Sequence, residues 1–135
     1  MVKLISGAMG SGKTKQLIKM ANEKSETSKG NIVFIDDDKR HMYDLTHDVR
    51  FVCMEDFPIH TVNEFVGFLC GIISNDYDIN HIYIDGLCKV MDCVVTETPQ
   101  FIARLEELGK KFDISFVATV SCETLPEELN GYILD

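Results

Sequence analysis

The stretch that decides the fold is "GAMGSGKT", which runs from Gly7 to Thr14 and directly follows the apolar run "VKLIS" at residues 2–6. Its spacing is G-x-x-x-x-G-K-[ST], in which glycines allow successive backbone N–H groups to turn toward one bound anion. The residues after the loop have a helical pattern, and the N-terminus of a helix adds partial positive charge at the same place. The spacing therefore predicts a phosphate-binding loop between a buried strand and a helix.

Two side chains of this loop have predicted roles beyond those of the backbone. Lys13 is expected to reach the β- and γ-phosphates of a nucleoside triphosphate, and the Thr14 hydroxyl is expected to coordinate Mg²⁺. The motif does not specify the base, so we expect ATP or another nucleoside triphosphate as the ligand and Mg²⁺ as the metal. The predicted nucleotide-binding residues are Gly7, Ala8, Met9, Gly10, Ser11, Gly12, Lys13 and Thr14.

Outside the loop, apolar runs of strand length alternate with longer segments of helical periodicity. The runs are continuously apolar, as is typical of strands in a parallel sheet that is covered on both faces. We therefore predict one three-layer α/β domain over residues 1–135, with a mostly parallel sheet of about five strands and helices on both of its faces. The predicted strands are residues 2–6, 31–38, 80–86 and 114–121, with weaker candidates at 50–55 and 132–135. The predicted helices are 13–24, 61–74 and 98–111, with one or two further helical turns at 124–131.

Capping signals refine two of the predicted helices. Thr61 and Glu64 have the spacing of a capping box at the start of residues 61–74, and Thr124 and Glu127 repeat this spacing later in the chain. Residues 61–74 are apolar nearly all round, so we expect this helix to be heavily buried, either against the sheet alone or between the sheet and a partner.

The charge of the chain is unevenly distributed. Its formal net charge is −9, which divides into +2 over residues 1–50 and −11 over residues 51–135. The basic residues therefore gather near the phosphate loop, and the acidic remainder argues against broad binding to a nucleic-acid backbone, which requires a basic stripe. A local nucleic-acid contact, or one made only by an oligomer, is left open.

The sequence predicts a cytoplasmic protein that does not enter a membrane. The longest apolar stretch, residues 64–74, is too short to cross a bilayer, and Lys3 with the early glycines argues against a signal peptide.

The five cysteines contain no C-x-x-C spacing, which argues against a zinc or thioredoxin-type motif. Because most of them adjoin apolar residues, we expect buried free thiols in a reducing compartment.

Carboxylates end two of the predicted strands. "HIYID" ends at Asp85, which has the place of the second anchor, called Walker B, that a Mg²⁺-bound triphosphate needs on a neighbouring strand. Many phosphate-loop ATPases have a catalytic Glu directly after this aspartate, but here the next residue is Gly86. The base that orients water is therefore expected elsewhere, and the three consecutive aspartates at 36–38 are the obvious source. A solvated acidic turn is the alternative interpretation of these aspartates.

The order of these features resembles that of the RecA-like ATPases, a family that includes recombinases and the motor domains of replicative helicases. The resemblance implies an open parallel sheet of RecA-like topology and Mg²⁺-dependent ATP hydrolysis that drives a conformational change. It implies that Asp38 is the catalytic carboxylate, in place of the usual Glu, and acts with Lys13 and Asp85. It also implies a γ-phosphate sensor at the end of the last long strand, where Thr119 and Ser121 are the candidates.

A second resemblance concerns the loop itself. Met9, and the following "KQLIKMANE", are similar to the start of the cellular-type thymidine kinases, which share the same core. Those enzymes have a catalytic Glu after the Walker B aspartate and a zinc-holding region with paired cysteines. Gly86 and the missing C-x-x-C depart from both features, so a kinase is the weaker interpretation.

Three kinds of function are therefore expected candidates: an ATPase, a nucleotide-gated binding module or partner subunit with little turnover, and a nucleoside kinase. The arginine finger that accelerates many phosphate-loop enzymes usually comes from a neighbouring protein. Sequence alone assigns no such role to Arg40, Arg50 or Arg104. If hydrolysis is fast, we expect a homo-oligomer or a protein partner.

Overall fold

The structure is a computed structural model that describes residues 1–90 and 95–134, and its centre is a five-stranded sheet. The strands are β1 Val2–Gly7, β2 Asn31–Asp36, β3 Val49–Cys53, β4 Ile79–Ile84 and β5 Ser115–Ser121. All of them are parallel, and they lie in the order β1-β5-β4-β2-β3. The predicted α/β class with a parallel sheet is confirmed, and the weak candidate at residues 50–55 corresponds to β3.

The described part of the chain contains four α-helices: α1 Lys13–Thr27, α2 Val62–Asn75, α3 Leu87–Val90 and α4 Thr98–Phe112. These helices cover both faces of the sheet. On one face the apolar stripe of Leu17, Ile18 and Ala21 on α1 packs against strand residues such as Phe34 and Tyr83. On the other face α2, α3 and α4 form a larger core with the strands. Successive strand residues alternate between the two cores, which explains the continuously apolar runs.

Helix α2 begins as predicted but is less buried than predicted. The Glu64 backbone N–H donates to the Thr61 side chain at 3.1 Å, so the expected cap is present. Phe65 and Leu69 face the sheet and are fully buried, whereas Cys70 on the opposite side is exposed. The sheet covers only one stripe of the helix, so the chain by itself does not bury α2 heavily, and burial of its other side by a partner stays a prediction. None of the described helices is both long and apolar enough to span a membrane.

The C-terminal segment differs from the prediction. A 3₁₀ helix at Glu127–Tyr132 supplies the short helical segment predicted within residues 124–131, but it begins later and has no side-chain cap, because Pro126 occupies the cap position with an extended ψ of 136°. The capping pair predicted from the spacing is therefore wrong. The last predicted strand is reduced to one parallel bridge between Leu4 and Ile133, and residue 135 lies outside the described residues.

The cysteines are less uniformly buried than predicted. Cys53 is buried, Cys70 is exposed, and Cys88 and Cys122 are partly buried. None of these four described cysteines forms a disulfide, whereas Cys93 lies outside the described residues. The expectation of buried free thiols therefore holds fully for Cys53 alone among the cysteines that the structure describes.

Candidate functional site

The candidate site is a cleft at the edge of the sheet where the parallel strands end. It has a volume of about 410 Å³ and is lined by the loop after β1, the start of α1, the segments that follow β2 and β4, and the end of β5. Ligands of open α/β sheets bind outside the carboxyl ends of the strands. The sheet therefore brings four segments that are distant in sequence to one cleft.

The predicted phosphate loop has the backbone shape that its glycines favour. Gly10 has φ 82° and Gly12 has φ 86°, both in the left-handed region that favours glycine. Gly12 occupies the cap position of α1, so the loop leads directly into the helix N-terminus. The Lys13 ammonium lies over this loop, where Nζ donates to the Ala8 carbonyl at 2.8 Å and to Ser11 Oγ at 3.4 Å. A cation and the helix N-terminus therefore meet at one point, which favours an anion.

Thr14 and Asp85, the two predicted metal ligands, lie in direct contact. The Thr14 hydroxyl is 3.1 Å from Oδ1 and 3.0 Å from Oδ2 of Asp85. A second hydroxyl, Thr119 Oγ1, donates to Asp85 Oδ1 at 2.8 Å and accepts from the Gly86 backbone N–H at 2.7 Å. The Asp85 carboxylate is therefore oriented by one hydroxyl from the start of α1 and one from β5.

The two sensor candidates at the end of β5 have different surroundings. Thr119 is only 2% exposed, and its hydroxyl is already bonded to Asp85 and Gly86. Ser121 is exposed and lines the cleft. Ser121 is thus the residue with a hydroxyl available to a ligand, while the Thr119 hydroxyl supports Asp85.

Gly86 has a conformational reason to be glycine. Its φ is 73°, in the left-handed region, where other residues are strained. A Cβ at this position would meet the nearest atom, Cδ of Lys89, at 3.5 Å, which is an ordinary contact. Backbone conformation rather than crowding therefore disfavours a catalytic Glu directly after Asp85.

Asp36, the first of the three aspartates, is buried behind the cleft. It is 1% exposed; its Oδ1 accepts a bond of 2.7 Å from the Asp37 N–H, and its Oδ2 has no hydrogen-bond partner among the described residues. Burial, the adjacent Asp37 carboxyl and the charge of Asp85 raise the pKa of Asp36 to about 8. Asp36 is therefore mainly protonated at neutral pH.

Asp37 and Asp38 differ in what they face. Asp37 lines the cleft. Asp38 is turned toward Arg40: its Oδ1 accepts from the Arg40 backbone N–H at 3.0 Å and its Oδ2 accepts from Nε at 2.8 Å. These bonds lower the pKa of Asp38, so its carboxylate is a weaker base. The predicted catalytic residue is thus not among the residues that line the cleft.

Basic residues that the sequence analysis left unassigned also line the cleft. They are Lys15, Arg40, His41 and Lys89. Arg40 and His41 come soon after the aspartates at the end of β2, with Lys39 between them. This position in the sequence indicates a place near the cleft, because the carboxyl ends of parallel strands meet at the same edge of the sheet. The permanent cations of the lining outnumber its carboxylates, so the cleft favours an anionic ligand.

Comparison with protein-family models and with curated proteins gives no match for this chain. Any functional interpretation therefore rests on the fold and the cleft. They define a parallel α/β protein in which a glycine-rich loop, a buried lysine and a hydroxyl–carboxylate pair converge at the carboxyl edge of the sheet.

Proposed function

We propose that this protein is a Mg²⁺-dependent phosphate-loop nucleoside triphosphatase, with ATP as the expected substrate and a RecA-like arrangement of strands. The observation that carries the proposal is the contact of the Thr14 hydroxyl with both oxygens of Asp85, at 3.1 and 3.0 Å, next to the loop. The position of β5 between β1 and β4 supports the RecA-like resemblance, in which the sensor strand lies between the loop strand and the Walker B strand.

The residues present fit a triphosphate and its metal. Gly10 and Gly12 shape the loop, and Lys13 is expected to exchange its bond to the Ala8 carbonyl for bonds to phosphate oxygens. Thr14 and Asp85 supply the hard oxygen ligands that Mg²⁺ prefers. When bound there, Mg²⁺ would offset the charge of the phosphate oxygens.

A carboxylate after β2 is proposed to orient the attacking water. The sequence resemblance assigns this role to Asp38, and that assignment stays a prediction. The cleft favours Asp37, because Asp37 lines it while both carboxylate oxygens of Asp38 accept bonds from Arg40. Asp36 is buried and has a raised pKa, so it is poorly placed to meet water directly.

The test is nucleotide binding and turnover in matched lysine variants. Lys13→Ala is expected to lower ATP affinity or turnover at least about a hundredfold, because its ammonium is proposed to contact the phosphates. Lys19→Ala is the control, since Lys19 is an exposed residue of the same helix whose ammonium lies 3.9 Å from Glu23. Affinity is measured by calorimetry with and without Mg²⁺, and turnover by phosphate release. Unchanged binding and turnover in Lys13→Ala would remove the proposal.

The same assay separates the three candidate functions. Phosphate release without an acceptor supports a triphosphatase. Phosphate transfer to thymidine would instead identify a nucleoside kinase, and tight binding with neither product would identify a nucleotide-gated binding module.

A further inference from the structure

The chain has three arginines, all of which the structure describes, and they lie in different places. Arg104 on α4 donates to the Asn63 side chain at 2.7 Å, on the outer surface of the helical layer. Arg50 lies on β3, the edge strand, beside a groove that α2 borders. Arg40 alone lines the cleft that contains the phosphate loop. Of the three arginines, the fold therefore places only Arg40 in the candidate site.

The Arg40 side chain is held in a defined way. Its Nε donates to Asp38 Oδ2 at 2.8 Å, while its backbone N–H donates to Oδ1 of the same carboxylate at 3.0 Å. A guanidinium has five N–H donors, and the bond through Nε uses one of them. The terminal nitrogens are thus left for another acceptor. The side chain is 68% exposed, so its position in the cleft depends on Asp38 rather than on packing.

We propose that Arg40 is an arginine finger supplied by the same chain, and that Asp38 positions it. This inference rests on the proposed triphosphatase activity and adds to it, because it states that the catalytic set is complete without a second protein. Arg40 is the catalytic residue, since it would touch the γ-phosphate. Asp38 is a positioning residue, since it would act through Arg40.

The reaction that Arg40 would assist is displacement at the γ-phosphorus. A bond forms between the water oxygen and phosphorus, while the bond from phosphorus to the bridging oxygen breaks and its electron pair leaves with ADP. One proton of the water stays on the phosphate product, and the other passes through the carboxylate of Asp37 to solvent. Negative charge shifts toward the bridging oxygen during this step, and a planar cation at that place stabilises the transition state more than the bound substrate.

The cleft has a reason to need this cation. Asp37 and Asp85 both line the cleft, so the transferring phosphoryl group approaches two carboxylates. Lys13 and Lys89 line the cleft too, but an ammonium lacks the planar fork that contacts two phosphate oxygens at once. Arginine fingers contribute about 10³- to 10⁵-fold in turnover.

The first experiment compares Arg40→Ala and Arg40→Lys with the control Arg50→Ala, which removes one exposed arginine outside the cleft. Hydrolysis is measured in single turnover at saturating Mg²⁺–ATP, and affinities are measured for ATP and for ADP with aluminium fluoride. Arg40→Ala is expected to slow hydrolysis about 10³-fold and to abolish tight binding of the aluminium fluoride complex. ATP affinity is expected to stay within about threefold, because a finger acts mainly in the transition state. Arg40→Lys should recover only a small part of the rate.

The second experiment tests whether the finger comes from the same chain. Lys13→Ala, which should not hold ATP, is mixed with Arg40→Ala, which should hold ATP but lack the finger. A finger supplied by the same chain predicts no recovery of activity in the mixture, and a wild-type rate per chain that does not change with protein concentration. Recovery of activity on mixing would overturn the inference and assign the finger to a second copy.

A double-mutant cycle tests the positioning role of Asp38. Asp38→Asn is expected to slow hydrolysis in the wild-type background but to add little in the Arg40→Ala background, since both changes then remove one function. An equal loss of hydrolysis rate in both backgrounds would show that Asp38 acts independently of Arg40, and Asp38 would then be the candidate base. If Arg40→Ala hydrolyses as fast as wild type, the finger fails while the proposed function stands. If wild type neither binds nor hydrolyses ATP, both fail.

Discussion

The Thr14 hydroxyl lies 3.1 Å from Oδ1 and 3.0 Å from Oδ2 of Asp85, a residue 71 positions later in the chain. The contact links the start of α1 to the end of β4, although β5 separates β4 from β1 in the sheet. Thr119 on that intervening strand bonds the same carboxylate at 2.8 Å. The start of α1, Asp85 and β5 are therefore expected to be coupled, so that a mutation in one of them disturbs the other two.

Thr14 can be tested with two variants of similar size. Thr14→Val keeps the shape but removes the hydroxyl, so the Mg²⁺-dependent gain in ATP affinity should fall about 10- to 100-fold, the range typical for disturbed metal sites. Thr14→Ser keeps the hydroxyl and should stay within about threefold of wild type. Calorimetry in Mg²⁺ and in EDTA gives both numbers. A Thr14→Val protein with the full Mg²⁺ effect would exclude the proposed metal ligand.

Thr119 is expected to be a stability residue as well as a site residue. Thr119→Val leaves the Gly86 N–H without its acceptor and removes one donor to Asp85, so unfolding should become easier by about 1–3 kcal/mol. Ser121→Ala, at an exposed position on the same strand, should change the free energy of unfolding by less than about 0.5 kcal/mol. Urea unfolding monitored by circular dichroism measures both, and similar losses in the two variants would contradict the assigned network.

Gly86 is expected to resist substitution because of its backbone conformation. With φ 73°, Gly86→Ala should destabilise the protein by about 1–2 kcal/mol. Gly67, an exposed glycine inside α2 with open space around it, is the matched control. Gly67→Ala should be stabilising by about 0.5–1 kcal/mol, since alanine favours the helix. Thermal unfolding of both variants gives the comparison; a stabilising Gly86→Ala would rule out the left-handed conformation.

The raised pKa of Asp36 predicts how the free energy of unfolding changes with pH in the metal-free protein. Its pKa is raised from 3.8 to about 8 in the folded state, so between these values the folded chain keeps a proton that the unfolded chain releases. The free energy of unfolding should therefore fall as pH rises through this window, by at most about 1.4 kcal/mol per pH unit. The Asn side chain in Asp36→Asn cannot ionise. The stability of this variant relative to wild type should therefore increase from pH 5 to pH 8.

The pH prediction is measured as the melting temperature in EDTA at several pH values. Asp78→Asn, which removes one exposed carboxylate, is the control and should follow the wild-type profile. A constant difference between Asp36→Asn and wild type across the pH range would show that the buried carboxyl does not titrate there.

Asp37 is expected to affect catalysis more than binding. Asp37→Asn keeps the side-chain size but removes the carboxylate that faces the cleft, so hydrolysis should slow about 10²- to 10⁴-fold, as for other general bases. ATP affinity should change by less than about threefold if the carboxylate acts on water in the transition state. Single-turnover kinetics and calorimetry separate the two effects, and full activity of Asp37→Asn would leave Asp38 as the candidate base.

Local patterns were sufficient for much of the fold. The apolar runs predicted all five strands, and the Thr61–Glu64 spacing predicted the start of α2, because both depend on neighbouring residues. The same reasoning failed at Thr124, where Pro126 takes the cap position. It also overestimated the burial of α2, because composition does not show which side of a helix is left uncovered.

Sequence by itself determined the glycine-rich loop that leads into α1, the parallel α/β sheet and the carboxylate at the end of β4, since each depends on a short, contiguous pattern. Only the tertiary structure decided which of three aspartates is buried, which faces the cleft and which holds Arg40. The physical reason is strand order: β2, β4 and β5 reach one edge through crossovers, and the distances between their end residues depend on the whole sheet.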